Sequence, residues 1–211
     1  MNLPVIILGG GGHAKVLVEA LRAGKVSILG ITDADPAKRG GTVMGVPVLG
    51  DDSILGQHGP GRVLLVNGLG SVRMPAARTS LFEALASQGF SFATVIHPRA
   101  VVASDAMLAE GAQIMAGAVI QPGVSIGRNS IVNSGAVVDH DCVIGDHVHL
   151  SPGATLSGGV RVGSGSHIGT GATVIEGISI GAGCLVAAGA VVISDVPDGA
   201  TVMGVPARIP Q

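Results

Sequence analysis

The 211 residues allow one large domain or two small ones, and 12 basic against 14 acidic residues leave a net charge of −2 with no basic run, which argues against nucleic acid as a partner. With 35 glycines, three phenylalanines and neither tryptophan nor tyrosine, any core must be built from Val, Ile, Leu and Ala, a composition that suits regular, repetitive architecture. The apolar start VIILGGGGHA is too short to span a bilayer and lacks a signal peptide's charged start and cleavage site, and two cysteines make no disulfide framework, so the chain reads as soluble and cytoplasmic.

In chain order, PVIILGGGGHAKVLVEALRAG is a buried strand, a glycine-rich turn and a helix. Val16, Leu17, Ala20 and Leu21 form the helix's apolar face and Gly24 its stop. VSILGITDAD is a second strand ending in Asp33 and Asp35. RVLLVNGLGS is a third strand and turn, followed by a helix around RTSLFEALASQG. This is a βαβ pattern with a parallel sheet. Gly9, Gly11 and Ala14 fit the G-x-G-x-x-A spacing, which lets a backbone approach a phosphate at a helix N-terminus. An acid at the end of the second strand is placed to bind a ribose hydroxyl. The plain alternative is a strand–helix turn with no ligand. The segment is about half a dinucleotide fold in length, and His13 directly after the glycines is unusual for NAD proteins, so a mononucleotide is favoured over NAD.

From Val95 to Val196 the chain keeps a period of six without a break. One position is always aliphatic, running Ile96, Val102, Leu108, Ile114 and onward at every sixth residue to Val192. A second, four residues later, is mostly small, as at Ala100, Ala112, Cys142, Cys184 and, at the end, Val196. Such a repeat outranks other signals. Six residues make a short strand and a turn, and three units close a coil. The seventeen units make between five and six coils, a prism roughly 25–30 Å tall at a strand spacing of ~4.8 Å. β-Branched residues fill its inside and Gly, Asn and Asp take its turns. Cys142 and Cys184 are then packing residues, not reactive thiols.

Chemistry concentrates in VVDHDCVIGDHVHLSPG, residues 137–153, which holds three of the seven histidines, His140, His147 and His149. Residues eighteen apart stack on one edge of such a prism. His140 shares its column with Pro122, Gly158 and Glu176, and Asp141 shares its own with Gly123, Gly159 and Gly177. The missing side chains of Gly158 and Gly159 leave room for a ligand and expose a backbone N–H. A base, an orienting carboxylate and an amide donor are what acyl transfer needs; the bland alternative is a solvated histidine. His149 points out from a flat face, stacks with His167 one coil above, and lies half a coil from His140. A site using both therefore lies between subunits. Zinc of the carbonic-anhydrase kind needs three converging histidines; His140, His147 and His149 occupy different phases, so no metal is expected, and His147 reads as surface. Thr155, Thr170 and Thr173 do not form the flat ladder an ice-binding helix would need.

The six-residue run resembles the hexapeptide repeats of left-handed β-helix acyltransferases, which implies left-handed coils and a trimer. With GGGGHA, TDAD, NGLGS, VDHDCVIGDHVHLSPGA and the closing VMGVPARIP, the whole chain resembles the sugar O- and N-acyltransferases of the sialic-acid acetyltransferase class. It is most similar to the bacterial enzymes that acetylate a nucleotide-linked 4-amino-6-deoxyhexose for surface glycans. The fold implied is an α/β, Rossmann-like half domain at 1–94 for the nucleotide sugar, a left-handed parallel β-helix at 95–196, and a C-terminal tail at 197–211. The resemblance implies acetyl-CoA as co-substrate, with no metal, and a homotrimer with active sites between subunits. His140 is implied as general base and Asp141, where the family usually has Glu, as its orienting group. His149 and the backbone of Gly158 would meet the thioester end of acetyl-CoA, with Thr170 and Ala188 along its channel. Gly11, Gly12, His13 and Gly70 would surround phosphates and sugar, and Asp33 and Asp35 would bind ribose or base. UDP-4-amino-4,6-dideoxy-N-acetylglucosamine and GDP-perosamine both suit this reading. A sialic-acid-type O-acetyltransferase and a γ-carbonic-anhydrase-like zinc β-helix are the alternatives.

Overall fold

A computed structural model describes residues 3–71 and 76–210. The first part comprises β1 (Val5–Leu8), α1 (Gly12–Ala23), β2 (Ile28–Thr32), β3 (Thr42–Val43), β4 (Val46–Gly50), α2 (Leu55–His58), β5 (Leu64–Asn67) and α3 (Ala76–Ser87). The sheet order is β3-β4-β2-β1-β5. All neighbours are parallel except the β3–β4 hairpin. β1 is apolar throughout because it is covered on both faces. Val5 and Ile7 pack toward α1, while Ile6 and Leu8 pack toward Phe82, Phe90 and Phe92.

Two details differ from the sequence reading. The buried stripe of α1 includes Ala14, Leu17, Val18, Ala20 and Leu21, whereas Val16 is 40% exposed. At 100° per residue Val16 falls off the stripe that residues 14, 17, 18 and 21 define. The β3–β4 hairpin was not foreseen. Its two-residue turn, Met44 (φ 50°) and Gly45 (φ 75°), has the double positive φ of a tight hairpin, but with Met where Asn or Asp usually announces it.

The second part is a left-handed β-helix of two-residue strands. Its first face runs from Val95–Ile96 to Thr201–Val202 (seven strands). The second runs from Val101–Val102 to Val191–Val192 (six), and the third from Met107–Leu108 to Ser179–Ile180 (five). Residues eighteen apart pair in parallel, as Val119 with Val137 and Ile120 with Val138. The inward positions from Ile114 to Val192 form one buried core that includes both cysteines. At the first coil Ile96 remains 45% exposed. A residue of positive φ recurs every sixth position from Gly111 to Gly189, but three times it is not glycine: Asn129 (54°), Asp141 (60°) and His147 (59°). Asn, Asp and His are the residues that enter the left-handed region most readily after glycine.

The final coil is short. Val202 pairs with Val186, and Val196 bridges Ile180, each sixteen positions on instead of eighteen. Residues 201–202, read from the sequence as tail, are thus the seventh strand of the first face. Beyond them the chain folds back over the edge strand: Val191 N–H donates to Gly204 O (3.0 Å), and Ala207 N–H to Val191 O (2.7 Å). Ala207 is buried against the prism core. Among the described residues no helix is long and apolar enough to cross a membrane.

Candidate active site

The β1–α1 turn is shaped for close approach. Gly9 has φ 88°, and Gly11 is the N-cap of α1. A Cβ added to Gly11 or Gly12 would meet nothing within 4 Å, so the N-terminus of α1 faces open space, as phosphate binding requires. Asp33 is already engaged. Its Oδ2 accepts from Gly10 N–H (2.7 Å) and Lys38 Nζ (2.8 Å), and its Oδ1 from Asp35 N–H (2.9 Å). Burial pushes the Asp33 pKa up, but Lys38 and the two N–H groups outweigh this and hold it below the usual carboxylate range. Asp35 accepts from Ala37 N–H (3.0 Å) and so caps the turn at Pro36–Lys38. Both acids expected at ribose or base shape the loop after β2.

His13 is fastened to the prism. Its Nε2 lies 2.7 Å from Gln113 Oε1, while Gln113 Nε2 donates to Asn67 O (2.9 Å). Gln113 therefore presents its oxygen, and His13 Nε2 carries the proton. Burial, then the charge of Arg78, push the His13 pKa down to about 4. Arg78 is 2% exposed. It donates to Asn67 O (2.7 Å), Leu69 O (2.8 Å) and Asn129 O (3.2 Å), with no partner for Nη2 among the described residues. Burial lowers its pKa to about 9. Arg78 thus grips the loop after β5, where a Cβ on Gly70 would stand 3.5 Å from the His13 Cβ.

His149, Thr170 and Ala188 line one cleft of about 360 Å³, together with Ser71, Ser151 and His167. His149 projects from the first face as expected, but that face is not open: the ring is 8% exposed beneath the loop after β5. His149 Nδ1 lies 3.2 Å from Ser71 O and Nε2 lies 3.2 Å from Asn133 Nδ2. Burial above all, then His167, His13 and Arg78, push its pKa down to about 3. His167 stands edge-on to it, ring centroids 4.9 Å apart.

His147, read as surface, is half-buried at the corner between third and first faces. Its Nε2 meets Glu83 of α3 (3.0 Å), its Nδ1 meets Asn129 Nδ2 (3.0 Å), and its edge meets the Phe82 ring. The left-handed corners at Asn129 and His147 are therefore the prism's half of the contact with α3.

His140 occupies a different corner, between second and third faces. Its Nδ1 lies 2.9 Å from Asp141 Oδ2, and both side chains are exposed. The Asp141 hydrogen bond first, then Asp139, raise the His140 pKa. The glycine column serves the ring itself: a Cβ on Gly158 would stand 2.6 Å from both Cε1 and Nε2 of His140. Gly159 N–H donates to His140 O (2.8 Å) and Gly177 N–H to Gly158 O (2.9 Å). The Gly158 N–H has no partner among the described residues. Within one chain His140 and Gly158 stand together, while His149, Thr170 and Ala188 lie across the second face from them. No group of three metal-ligating side chains forms among the described residues. Ser71, Asn133, His167, Gln113 and Arg78 were not singled out as site residues; only His167, eighteen residues after His149, carried a signal in the sequence.

A two-part fold with a histidine–carboxylate corner and a cleft on a neighbouring face has the layout that acyl transfer needs. Residues 105–140, 123–158 and 141–175 match the bacterial transferase hexapeptide model, residues 159–194 match the hexapeptide repeat of succinyl-transferase, and residues 4–85 match the PglD N-terminal domain. A variant of the perosamine N-acetyltransferase from Caulobacter crescentus, solved with CoA and GDP-perosamine, is 44% identical over 99% of this chain and 97% of that one, with a TM-score of 0.91. The acetyltransferase domain of PglB from Neisseria gonorrhoeae, solved with acetyl coenzyme A, is 38% identical over 100% of both chains, with a TM-score of 0.91. WeeI from Acinetobacter baumannii is 27% identical over 99% of this chain and 100% of that one, with a TM-score of 0.80. No match is found among curated proteins. The chain belongs to the acetyl-CoA-dependent sugar N-acetyltransferase family of the perosamine N-acetyltransferase, and in it a PglD N-terminal domain precedes hexapeptide repeats.

Proposed function

We propose that the protein transfers the acetyl group of acetyl-CoA to the C4 amine of a GDP- or UDP-linked 4-amino-4,6-dideoxyhexose, in the cytoplasm, for surface glycans such as lipopolysaccharide. The carrying observation is the His140 Nδ1–Asp141 Oδ2 contact of 2.9 Å, with the imidazole lying over side-chain-free Gly158. Because Nδ1 faces the carboxylate, it holds the proton and Nε2 is the free base. The amine nitrogen attacks the thioester carbonyl carbon, and His140 Nε2 takes the proton that the nitrogen loses. The Gly158 N–H stabilises the oxyanion. The C–S bond then breaks, and CoA leaves with the proton from His140.

Residues 1–94 hold the nucleotide sugar, with Gly11, Gly12 and Gly70 at the open turn and His13 behind them. Asp33 acts through the loop it holds, and Asp35 borders that loop. Residues 95–196 carry the chemistry, with His149, Thr170 and Ala188 along the CoA cleft, and 197–211 close the stack. The site is completed by a second copy in a homotrimer. The outward positions of the second face are Val101, Val119, Val137, Thr155, Thr173 and Val191, all β-branched and uncharged, a surface suited to burial against another chain. Packing there carries the His140 corner of one copy toward the cleft of the next.

The test is incubation with acetyl-CoA and each of GDP-perosamine and UDP-4-amino-4,6-dideoxy-N-acetylglucosamine, following release of free thiol. Thiol release with one of them, lost in His140→Ala, supports the reading. Release with sialic acid but with neither amine overturns the N-acetyl assignment, and an absence of CoA binding by calorimetry overturns the whole.

A further inference from the structure

Among the described residues, Ser71 is the one that meets both imidazole rings of the cleft at hydrogen-bond distance. It is buried, at 7% exposure. Its carbonyl oxygen lies 3.2 Å from His149 Nδ1, and its hydroxyl lies 3.3 Å from His167 Nδ1. A carbonyl only accepts, so His149 Nδ1 must carry the proton. The other side of the ring agrees. Asn133 Oδ1 accepts from Ser134 N–H (2.8 Å), which turns the Asn133 amide nitrogen toward His149 Nε2 (3.2 Å). His149 is thereby confined to one neutral tautomer, in keeping with its depressed pKa. His167 is wedged between two hydroxyls, Ser71 Oγ and Ser151 Oγ (3.0 Å), and sets its ring edge-on against His149.

The same short loop reaches the other substrate's space. A Cβ on Gly68 would lie 2.7 Å from Gly9 O, in the turn before α1, and Gly70 abuts His13. Residues 68–71 therefore run without interruption from the glycine turn of α1 to the wall of the CoA cleft. Any shift of this loop on filling one space moves the wall of the other, through Ser71 and the two rings it holds.

Resting on the proposed function, we infer that Ser71 and His167 are positioning residues that fix His149 and couple the nucleotide-sugar space to the acyl-donor cleft, so that each ligand tightens the other. Coupling of this kind is reciprocal: the factor by which the nucleotide strengthens CoA binding equals the factor by which CoA strengthens the nucleotide.

The experiment measures CoA affinity of the full chain by calorimetry, alone and with saturating GDP or UDP. It is then repeated for Ser71→Ala and His167→Gln. The expected result is about 5-fold or more tightening of CoA by one nucleotide in the wild type, with the same factor read in reverse. That ratio should fall toward one in Ser71→Ala and in His167→Gln. A purely structural role would lower both affinities and melting temperature but leave the ratio unchanged. Equal CoA affinity with and without either nucleotide, or an unchanged ratio in both variants, overturns the inference. Acetyl transfer is scored separately. A wild type that shows the ratio but never releases thiol sinks the proposed reaction while keeping the coupling.

Discussion

The two halves of the molecule solve the same packing problem with different materials. All three phenylalanines lie in one core beside β1 and α3, where Phe82 and Phe92 stack with centroids 4.2 Å apart. The prism holds none and fills its interior with Val, Ile, Leu, Ala and Cys. A layered sheet leaves gaps of unequal size between helix and strand, and large rings close them. A coil that repeats its own geometry leaves the same gap each time, and one shape of side chain fills it. The consequence is a division of labour: the irregular half is sensitive in its core, and the regular half displays reactive groups on its corners at little structural cost.

That contrast breaks most visibly under paired substitutions. His140→Ala should lower kcat by roughly 10²–10⁴ while leaving the melting temperature near wild type, because the ring is exposed at a corner. Phe82→Ala should cost about 3–5 kcal/mol of stability, read by urea unfolding; Ile144→Val, deep in the prism, should cost only ~0.5–1.5 kcal/mol. If the prism change proves the more damaging, the division fails. Gly158→Ala sits between the two, since its methyl would stand 2.6 Å from the His140 ring. It should displace the base and lower kcat by about 10–100-fold, with circular dichroism unchanged.

Acid should loosen the seam between the halves. His13 and His149 are held neutral when folded, with pKa values of about 4 and about 3, but titrate near 6.5 when unfolded. Between those values the unfolded chain binds protons that the folded chain refuses. Stability is thus fully present above about pH 6.5 and falls with decreasing pH by up to about 1.4 kcal/mol per unit for each histidine. Melting temperatures from pH 7 to pH 5 should drop, and His149→Gln should flatten the slope. The smallest effect concerns Asp141. As the proposed base, His140 must be neutral, and Asp141 raises its pKa, so activity should fade as pH falls through that raised value. Asp141→Asn should move the acid limb of kcat/KM to lower pH, with a loss in rate smaller than that of His140→Ala.

Where the sequence was legible follows the same division. The period of six announces the prism, and stacking at eighteen puts His140 under Gly158 and His149 under His167. The β1–α1 turn was legible from its glycines. What stayed hidden lies where the halves meet. An arginine on a helix reads as a solvated residue, yet Arg78 is buried because Asn67, Leu69 and Asn129 present carbonyl oxygens to it from separate segments. His147 reads as a turn residue, and only docking of α3 gives it Glu83 and Phe82. Ser71 has no periodicity to betray it. Periodicity reports contacts within a repeating element; contacts between elements depend on how they dock, which no local pattern encodes.

The shortened last coil has a consequence for what happens beyond the single molecule. An exposed parallel strand is a template, and a stack of identical coils offers incoming chains the same surface that its own next coil would use. Here that surface is withheld. The two backbone groups of Val191 are taken by Gly204 and Ala207 from the chain's own end, and the missing pair of residues throws the final strand out of the eighteen-residue step. The closing residues thus act as a stopper at this end of the stack: no further coil can pair with Val191.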